Sequence, residues 1–404
     1  MVGTISKDKP PPDGGWGWLC ACGGFLVHFI SAAQLKAFGV FLPVLTKEFG
    51  TSNALTAWTN GIGNAVFFML TPLSTGLCHR YSYRTVAIPG AIIAGVGMSL
   101  SYFATGLPLL YLTYGLMFGL GSALIMIPSQ SSVADHFDKK RSVAIGIVLL
   151  GTGVGTLVWP ILIGYLLEEF LYQRTFLICG AITFNLMVAG SLFRNFKKRP
   201  PLDSTFKSSD NNVEMTTPAT TPRTWFARMR DSIKNSKPII DKRIFTDSRI
   251  VHYCLTLFFV QVAYISVFVL LPTRGQELAD SDDFSGATLV SVIGLSETIS
   301  RLPWCAMWDI SFLRKPTRRL AGLTIFVFFI GVLVIINPLM HSMELLVVNS
   351  AILGVATGGY VPTSFIVLVD LSGVDLYKDA LAARLWFAGL ASLLGPAFLG
   401  MFPT

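Results

Sequence analysis

Charged residues are scarce in this sequence. Only 13% of the 404 residues are Asp, Glu, Lys or Arg, whereas 52% are hydrophobic and the mean hydropathy is +0.60. Soluble globular domains carry about 25% charged residues, so composition argues against two or three soluble domains. The sequence instead predicts an all-α protein that crosses a membrane many times.

The sequence also lacks the motifs of metal and covalent chemistry. Its 6 cysteines lie in or beside apolar segments, with neither CxxC spacing nor histidines at metal-ligand intervals. It contains no nucleophile elbow and no phosphate-binding glycine loop. We therefore expect no enzyme activity, no catalytic residues, no metal and no other cofactor.

Signals for secretion, glycosylation and nucleic-acid binding are missing as well. The first residues, MVGTISKDKPPPDGG, contain no apolar stretch that ends in a small-residue cleavage site, so no signal peptide is expected. The external loops contain no Asn-x-Ser/Thr acceptor. The net charge of +8 does not indicate nucleic acid, because basic residues form short clusters between apolar runs. Their alternation predicts a cytoplasmic N-terminus.

What the sequence does have is eleven apolar segments, each near the ~20 residues that a hydrocarbon core requires. They are predicted at about 16–45, 53–76, 86–105, 108–130, 142–167, 174–193, 250–272, 285–308, 319–337, 343–369 and 380–402. Between the sixth and seventh lies a polar stretch that cannot bury a core. The predicted organisation is a cytoplasmic tail (1–15), a six-helix bundle (16–193), a disordered cytoplasmic linker (194–248) and a second bundle (249–404) with five spans and no twelfth.

Segments 2 and 8 are each followed by a short basic turn, GLCHRYSYR (76–84) and WDISFLRKPTRR (308–319). This internal repeat is typical of a transporter made of two halves that hold the substrate between them near the midplane. An odd number of spans places Thr404 outside, so we expect a truncated form of a twelve-span protein that transports poorly.

Two charges lie near the middle of the eighth segment, TLVSVIGLSETISRLPWCAMW (Thr288–Trp308). Glu297 and Arg301 are spaced i, i+4 and so share one helical face. A charge at the centre of a membrane helix costs about 2.5–3.5 kcal/mol, so such residues face each other or a water-filled cavity. The pair is therefore either an internal ion pair or a binding and coupling site. Lys36 in the first segment either snorkels outward or lines a cavity.

Weaker signals come from polar residues and glycines within the apolar runs. For each polar residue a hydrogen bond between helices is more common than a substrate contact; among them Tyr360 and Ser364 are substrate-binding candidates. The full set is His28, Gln34, Asn64, Gln130, Asn185, Gln261, Tyr360 and Ser364. Glycine-rich faces are predicted to allow close helix approach or to act as hinges, among them Gly146, Gly151, Gly153 and Gly155.

Two stretches are specific enough to suggest a family. They are DGGWGW, with Asp13, Gly14, Gly15, Trp16 and Trp18, and HFDKKRSVAIG, with Lys139, Lys140, Arg141 and Gly146. They resemble the two signatures of the monocarboxylate transporter family within the major facilitator superfamily, DGGWGW and YFxKRRxLAxG. The resemblance implies two helical bundles rocking about a central cavity, with the signature residues acting in gating. The second stretch departs from the pattern at His136, where Tyr is usual.

The resemblance also implies roles for the intramembrane charges. Lys36, 23 residues after Asp13, matches the family's substrate lysine, and Arg301 matches its carboxylate-binding arginine. Glu297 takes the place of an acid that is Asp in the lactate branch, so it is the expected proton-coupling residue together with Lys36. A planar guanidinium suits a carboxylate, and a lysine is a point charge that can gain or lose a proton.

The leading functional hypothesis is proton-linked symport of a small monocarboxylate, such as lactate or pyruvate, across the plasma membrane. The alternatives are facilitated transport of a bulkier or zwitterionic solute (an aromatic amino acid, creatine or thyroid hormone) and a non-transporting receptor, scaffold or truncated isoform. The expected partners are the organic anion, the proton and membrane lipid. The resemblance adds a single-span immunoglobulin-type chaperone.

Overall fold

The structure, a computed structural model, describes residues 14–137, 140–194, 247–278, 283–308, 310, 312–313 and 315–399. Helix is the sole regular secondary structure of these residues. We number the principal helices α1 Trp16–Val40, α2 Asn53–Cys78, α3 Tyr83–Phe103, α4 Leu107–His136, α5 Arg141–Glu169, α6 Tyr172–Leu192, α7 Ser248–Leu278, α8 Asp283–Met307, α9 Pro316–Leu339, α10 Met343–Gly373 and α11 Ala380–Gly395.

Each principal helix overlaps one of the eleven predicted apolar segments, so the all-α fold is confirmed. Nine helices of the described residues are long and apolar enough to cross a membrane. The other two are α8, which contains Glu297 and Arg301, and the shorter α11. The count of eleven spans is therefore not confirmed by length and hydropathy. The predicted tail and linker lie mostly outside the described residues, and the domain boundaries stay predictions.

Two large hydrophobic cores form among the described residues, one in each half of the chain, and a smaller cluster in the first half contains Cys20, Val133, Phe137 and Val148. The first consists of residues between Val27 and Phe193 together with Ala287. The second consists of residues between Ile250 and Ala383 together with Leu42 and Ala57. We call helices α1–α6 the N-terminal half and helices α7–α11 the C-terminal half.

The two halves meet where glycines let backbones approach. Gly39 of α1 contacts the Phe268 carbonyl of α7, and a Cβ on Gly61 of α2 would lie 3.1 Å from the Leu393 carbonyl of α11. At the α5–α8 crossing, a Cβ on Gly294 would lie 2.6 Å from the backbone nitrogen of Leu157. Small residues at helix crossings are the usual means of close packing in membranes.

Of the two roles predicted for the helix α5 glycines, close helix approach is confirmed for three of them and not for the fourth, whose alternative role as a hinge stays a prediction. Gly151 contacts the Phe25 carbonyl, Gly153 contacts Thr298, and a Cβ on Gly155 would lie 2.5 Å from the Ala33 Cβ. Nothing lies within 4 Å of the Cβ position of Gly146. Gly146 therefore does not serve close helix approach, because its face of α5 meets open space.

The α5–α8 crossing gives a direct test of this packing. Gly294→Ala should destabilise the packed state by about 1–3 kcal/mol, because its methyl group would overlap the α5 backbone. Thermal unfolding in detergent should show a lower Tm. Gly331→Ala is the matched control, since nothing lies within 4 Å of its Cβ position on α9. The control should leave Tm unchanged or raise it, and equal Tm values for the two variants would contradict the tight crossing.

Candidate functional site

A cavity of about 220 Å³ lies between the halves. Its described lining residues come from α1, α2, α4 and α5 of one half and from α7, α8, α10 and α11 of the other. The first, second, fourth and fifth helices of each half thus line the cavity, as a repeated architecture with a central site requires. The polar and charged lining residues are His28, Lys36, Asn64, Gln130, Thr152, Gln261, Tyr264, Glu297, Arg301, Tyr360 and Arg384.

A three-residue charge cluster bridges the halves at this cavity. The Lys36 Nζ lies 3.0 Å from Glu297 Oε2 and 3.4 Å from Glu297 Oε1. Arg301 Nη2 donates to Glu297 Oε1, so the i, i+4 ion pair forms as its spacing predicts. Glu297 is 0% exposed, and the side chains of Lys36 and Arg301 are 12% and 8% exposed. Lys36 therefore faces inward, and the snorkelling alternative is wrong.

Arg301 also reaches the opposite half through the backbone. Its Nη1 donates to the Leu149 carbonyl of α5 at 3.0 Å, while its buried Nε has no hydrogen-bond partner among the described residues. Separation of the two halves would break this bond and the Lys36–Glu297 pair together. The cluster is thus both a charged site and a contact between halves.

The irregular geometry of α1 positions two cavity residues. A π-helical stretch, His28–Ala32, precedes Lys36, and a 3-10 turn, Phe38–Val40, follows it. Such interruptions in a helix are frequent at functional sites. The Lys36 ammonium lies 5.2 Å from the ring centroid of Tyr264 and 4.8 Å from that of Phe268. These rings of α7 stabilise the cation by cation–π interaction.

His28 belongs to a second polar group in the same wall. Its Nδ1 is 3.0 Å from Thr152 Oγ1, and its Nε2 is 3.3 Å from Gln130 Nε2. These contacts join α1, α4 and α5 within the N-terminal half. Of the other weak candidates, Asn64 and Gln261 line the cavity, whereas Asn185 is exposed.

The two substrate-binding candidates on α10 differ in position. Tyr360 is buried and lines the cavity. Ser364 is buried but is not among the described residues that line it. Ser364 Oγ instead accepts a hydrogen bond from Arg384 Nη2 at 2.8 Å. Arg384 does line the cavity, and sequence reasoning missed it because an arginine early in an apolar segment resembles an ordinary flanking charge.

A sequence profile gives the decisive comparison, since that of the Major Facilitator Superfamily matches residues 24–396. The chain belongs to the Major Facilitator Superfamily. Among curated relatives, monocarboxylate transporter 12 of Xenopus laevis is 27% identical over 98% of this chain and 84% of its own length. Monocarboxylate transporter 2 of Homo sapiens is 28% identical over 97% of this chain and 79% of its own. The predicted resemblance to monocarboxylate transporters is confirmed.

Solved structures of the superfamily share the fold. A bacterial homologue of the human lysosomal transporter Spinster, inward-facing and unoccupied, matches with a TM-score of 0.69 at 15% identity, over 98% of this chain and 83% of that one. The peptide transporter POT in complex with sulfate also matches with a TM-score of 0.69 at 15% identity, over 98% of this chain and 91% of that one. Membership of the superfamily, together with the nine apolar helices of the described residues, makes this chain a multi-pass membrane transporter and not an enzyme.

The two signature stretches meet at one end of the N-terminal half of this superfamily member. The Trp18 and Phe137 rings pack edge-to-face with centroids 4.9 Å apart, and a Cβ on Gly17 would lie 2.9 Å from Phe137. Trp16 Nε1 donates to the Leu192 carbonyl at 2.9 Å. These contacts fasten the start of α1 to the ends of α4 and α6.

The other predicted signature residues are described only in part. The Gly14 and Gly15 carbonyls accept from the amides of residues 17 and 18 at 3.2 Å, and Gly15 has a φ of 57°. Lys140 is exposed, and Arg141 begins α5. Asp13 and Lys139 lie outside the described residues. Their gating role stays a prediction.

Proposed function

We propose that this chain is a secondary transporter that moves a small monocarboxylate together with a proton by alternating access. The observation that carries the proposal is the Lys36–Glu297–Arg301 cluster, which lies in a cavity between the halves. In this proposal Arg301 and Lys36 bind the substrate carboxylate, Tyr360 contacts the substrate, and Glu297 with Lys36 handles the proton. The names of the relatives support the substrate class.

The contacts of Glu297 explain how proton and anion would be coupled. In the described state its carboxylate forms ion pairs with both Lys36 and Arg301. A proton on Glu297 would weaken both pairs, because a neutral acid attracts cations far less. The substrate carboxylate could then replace Glu297 as their partner. Proton and anion entering together leave the net charge of the cavity unchanged, which limits the cost of crossing an apolar barrier.

The size of the cavity favours a small substrate over the bulkier alternatives. At about 220 Å³ it is smaller than the roughly 300–1,000 Å³ typical of drug-sized ligands. A thyroid hormone, which is of drug-like size, would require the walls to move apart. The described charged lining residues include three cations and one acid, which suits an anion better than a zwitterion.

Uptake into proteoliposomes tests this function. The purified chain should accumulate radiolabelled lactate or pyruvate when an inward proton gradient is imposed, and a protonophore should abolish the accumulation. A panel with phenylalanine, creatine and thyroxine tests the facilitated alternative. Uptake of these solutes without dependence on the proton gradient, and no uptake of monocarboxylates, would reject proton-linked symport.

We further propose a plasma-membrane location with a cytoplasmic N-terminus. The support is the alternation of basic clusters, which favours cytoplasmic loops after α2 and α8. Delivery by a single-span immunoglobulin-type chaperone belongs to the same proposal and rests on family resemblance. An epitope tag at residue 1 should bind antibody only after cells are permeabilised. Labelling of intact cells would contradict the cytoplasmic N-terminus.

A further inference from the structure

Arg384 is a third cation in the cavity wall, and the proposed function leaves it without a role. It lies on α11, whereas the other charged lining residues lie on α1 and α8. Lys36 and Arg301 share Glu297, but Arg384 forms no ion pair with any acid in the described part of the chain. Arg384 is half-buried. A guanidinium without an anion is costly in such a place, so its position in the cavity wall indicates an incoming partner.

The surroundings of Arg384 fix its guanidinium group on two sides. Nη2 donates to Ser364 Oγ at 2.8 Å, and Cζ lies 4.0 Å from the ring centroid of Phe365. The buried Nη1 has no hydrogen-bond partner among the described residues. Together with a side-chain hydrogen bond to Tyr360, these contacts orient the planar group, while Nη1 is left to donate to an incoming acceptor.

The charge of the cavity indicates how many negative groups it can take. Its described charged lining residues are Lys36, Arg301, Arg384 and Glu297, and with Glu297 protonated, as the proposed function has it when an anion binds, they sum to +3. A single carboxylate leaves an excess of +2. A ligand with two carboxylates lowers the excess to +1 and gives Arg384 Nη1 a charged acceptor.

We propose that Arg384 forms a second anion subsite, positioned by Ser364, that binds the far carboxylate of a short dicarboxylate. The first carboxylate of the same ligand binds Arg301. This inference rests on the proposed function, because it takes the cavity between the halves as the substrate site. A cavity of about 220 Å³ limits the ligand to a short chain.

Binding of matched acids to the purified full-length chain tests the subsite. The ligands are malonate, succinate, glutarate and adipate, each compared with the monocarboxylate of equal carbon number by isothermal titration calorimetry. The wild type should bind the best-fitting dicarboxylate about tenfold or more tightly than its monocarboxylate, the size expected for a charge-assisted hydrogen bond. A single optimal length would reflect a fixed separation of the two arginines.

Variants then assign that preference to Arg384. Arg384→Gln should reduce the dicarboxylate-to-monocarboxylate affinity ratio to about 1–3, the loss of one charged contact. Ser364→Ala should lower the ratio in part, because it removes the contact that orients the guanidinium. Arg249→Gln is the matched control, since Arg249 is exposed, pairs with Asp247 and lies outside the cavity lining. It should retain the wild-type ratio.

The outcomes separate this inference from the proposed function. A wild-type ratio near 1, or a high ratio that survives in Arg384→Gln, would overturn the second subsite and leave monocarboxylate transport standing. A ratio that depends on Arg384, together with no monocarboxylate transport in proteoliposomes, would support the subsite and overturn the proposed function. Absence of binding by every acid would overturn both.

Discussion

Replacement of Arg301 by lysine should lower kcat/KM for monocarboxylate uptake by about 10- to 100-fold, because charge-assisted hydrogen bonds contribute roughly 1.5–3 kcal/mol. Arg301 uses two guanidinium nitrogens for different partners: Nη2 donates to Glu297, and Nη1 donates to the Leu149 carbonyl of the other half. A lysine keeps the positive charge but cannot offer the planar fork that matches a carboxylate. The measurement is initial uptake rate in proteoliposomes with matched protein content.

Arg249→Lys serves as the control for this loss of geometry. Arg249 binds Asp247 at 2.9 Å, but its side chain is 74% exposed. Exposed pairs are worth about 0–1 kcal/mol, so this substitution should leave uptake near the wild-type rate. Wild-type uptake kinetics in Arg301→Lys would contradict the assignment of Arg301 to the substrate site.

Glu297→Gln should abolish accumulation driven by a pH gradient, because an amide cannot bind and release a proton. It should also lower Tm, since the neutral side chain leaves Lys36 and Arg301 close together without their acid, and breaking a buried pair costs about 3–5 kcal/mol. Lys36 is 3.0 Å from the carboxylate, so both cations lose their partner in one substitution. Uptake at several external pH values, at constant internal pH, measures the coupling.

Glu297→Asp is the matched control, because it keeps a titratable carboxylate and restores the acid expected in the lactate branch. The shorter side chain should change the uptake rate while uptake still responds to the imposed gradient. Continued accumulation against a gradient in Glu297→Gln would show that another group carries the proton.

Composition and periodicity predicted the helices, because helix formation depends on local features of the sequence. Each apolar segment became a helix, and the Glu297–Arg301 pair followed from a spacing within one helix. The Lys36–Glu297 contact joins residues 261 positions apart. No local pattern specifies such a pair, so only the family resemblance suggested that the two residues act together.

The features that the sequence did not reveal also depend on contacts between distant parts of the chain. Arg384 lies near the start of a segment, where a positive charge is expected for topological reasons, so its place in the cavity could not be seen. Close helix approach does not occur at Gly146, because glycine content does not reveal which face of α5 meets another helix. Side chains whose roles depend on packing between halves require the tertiary structure.

The long separation between Lys36 and Glu297 bears on how the chain is made. Ribosomes add about 5–20 residues per second, so roughly 13–50 s pass between synthesis of the lysine and of its acid. During that interval helix α1 resides in or beside the translocon with a cation near its end that has no acid to pair with, and the cost of such a charge reaches about 2.5–3.5 kcal/mol at the centre of a membrane helix. Early termination before α8 therefore yields an N-terminal half in which Lys36 has no Glu297 to compensate its charge.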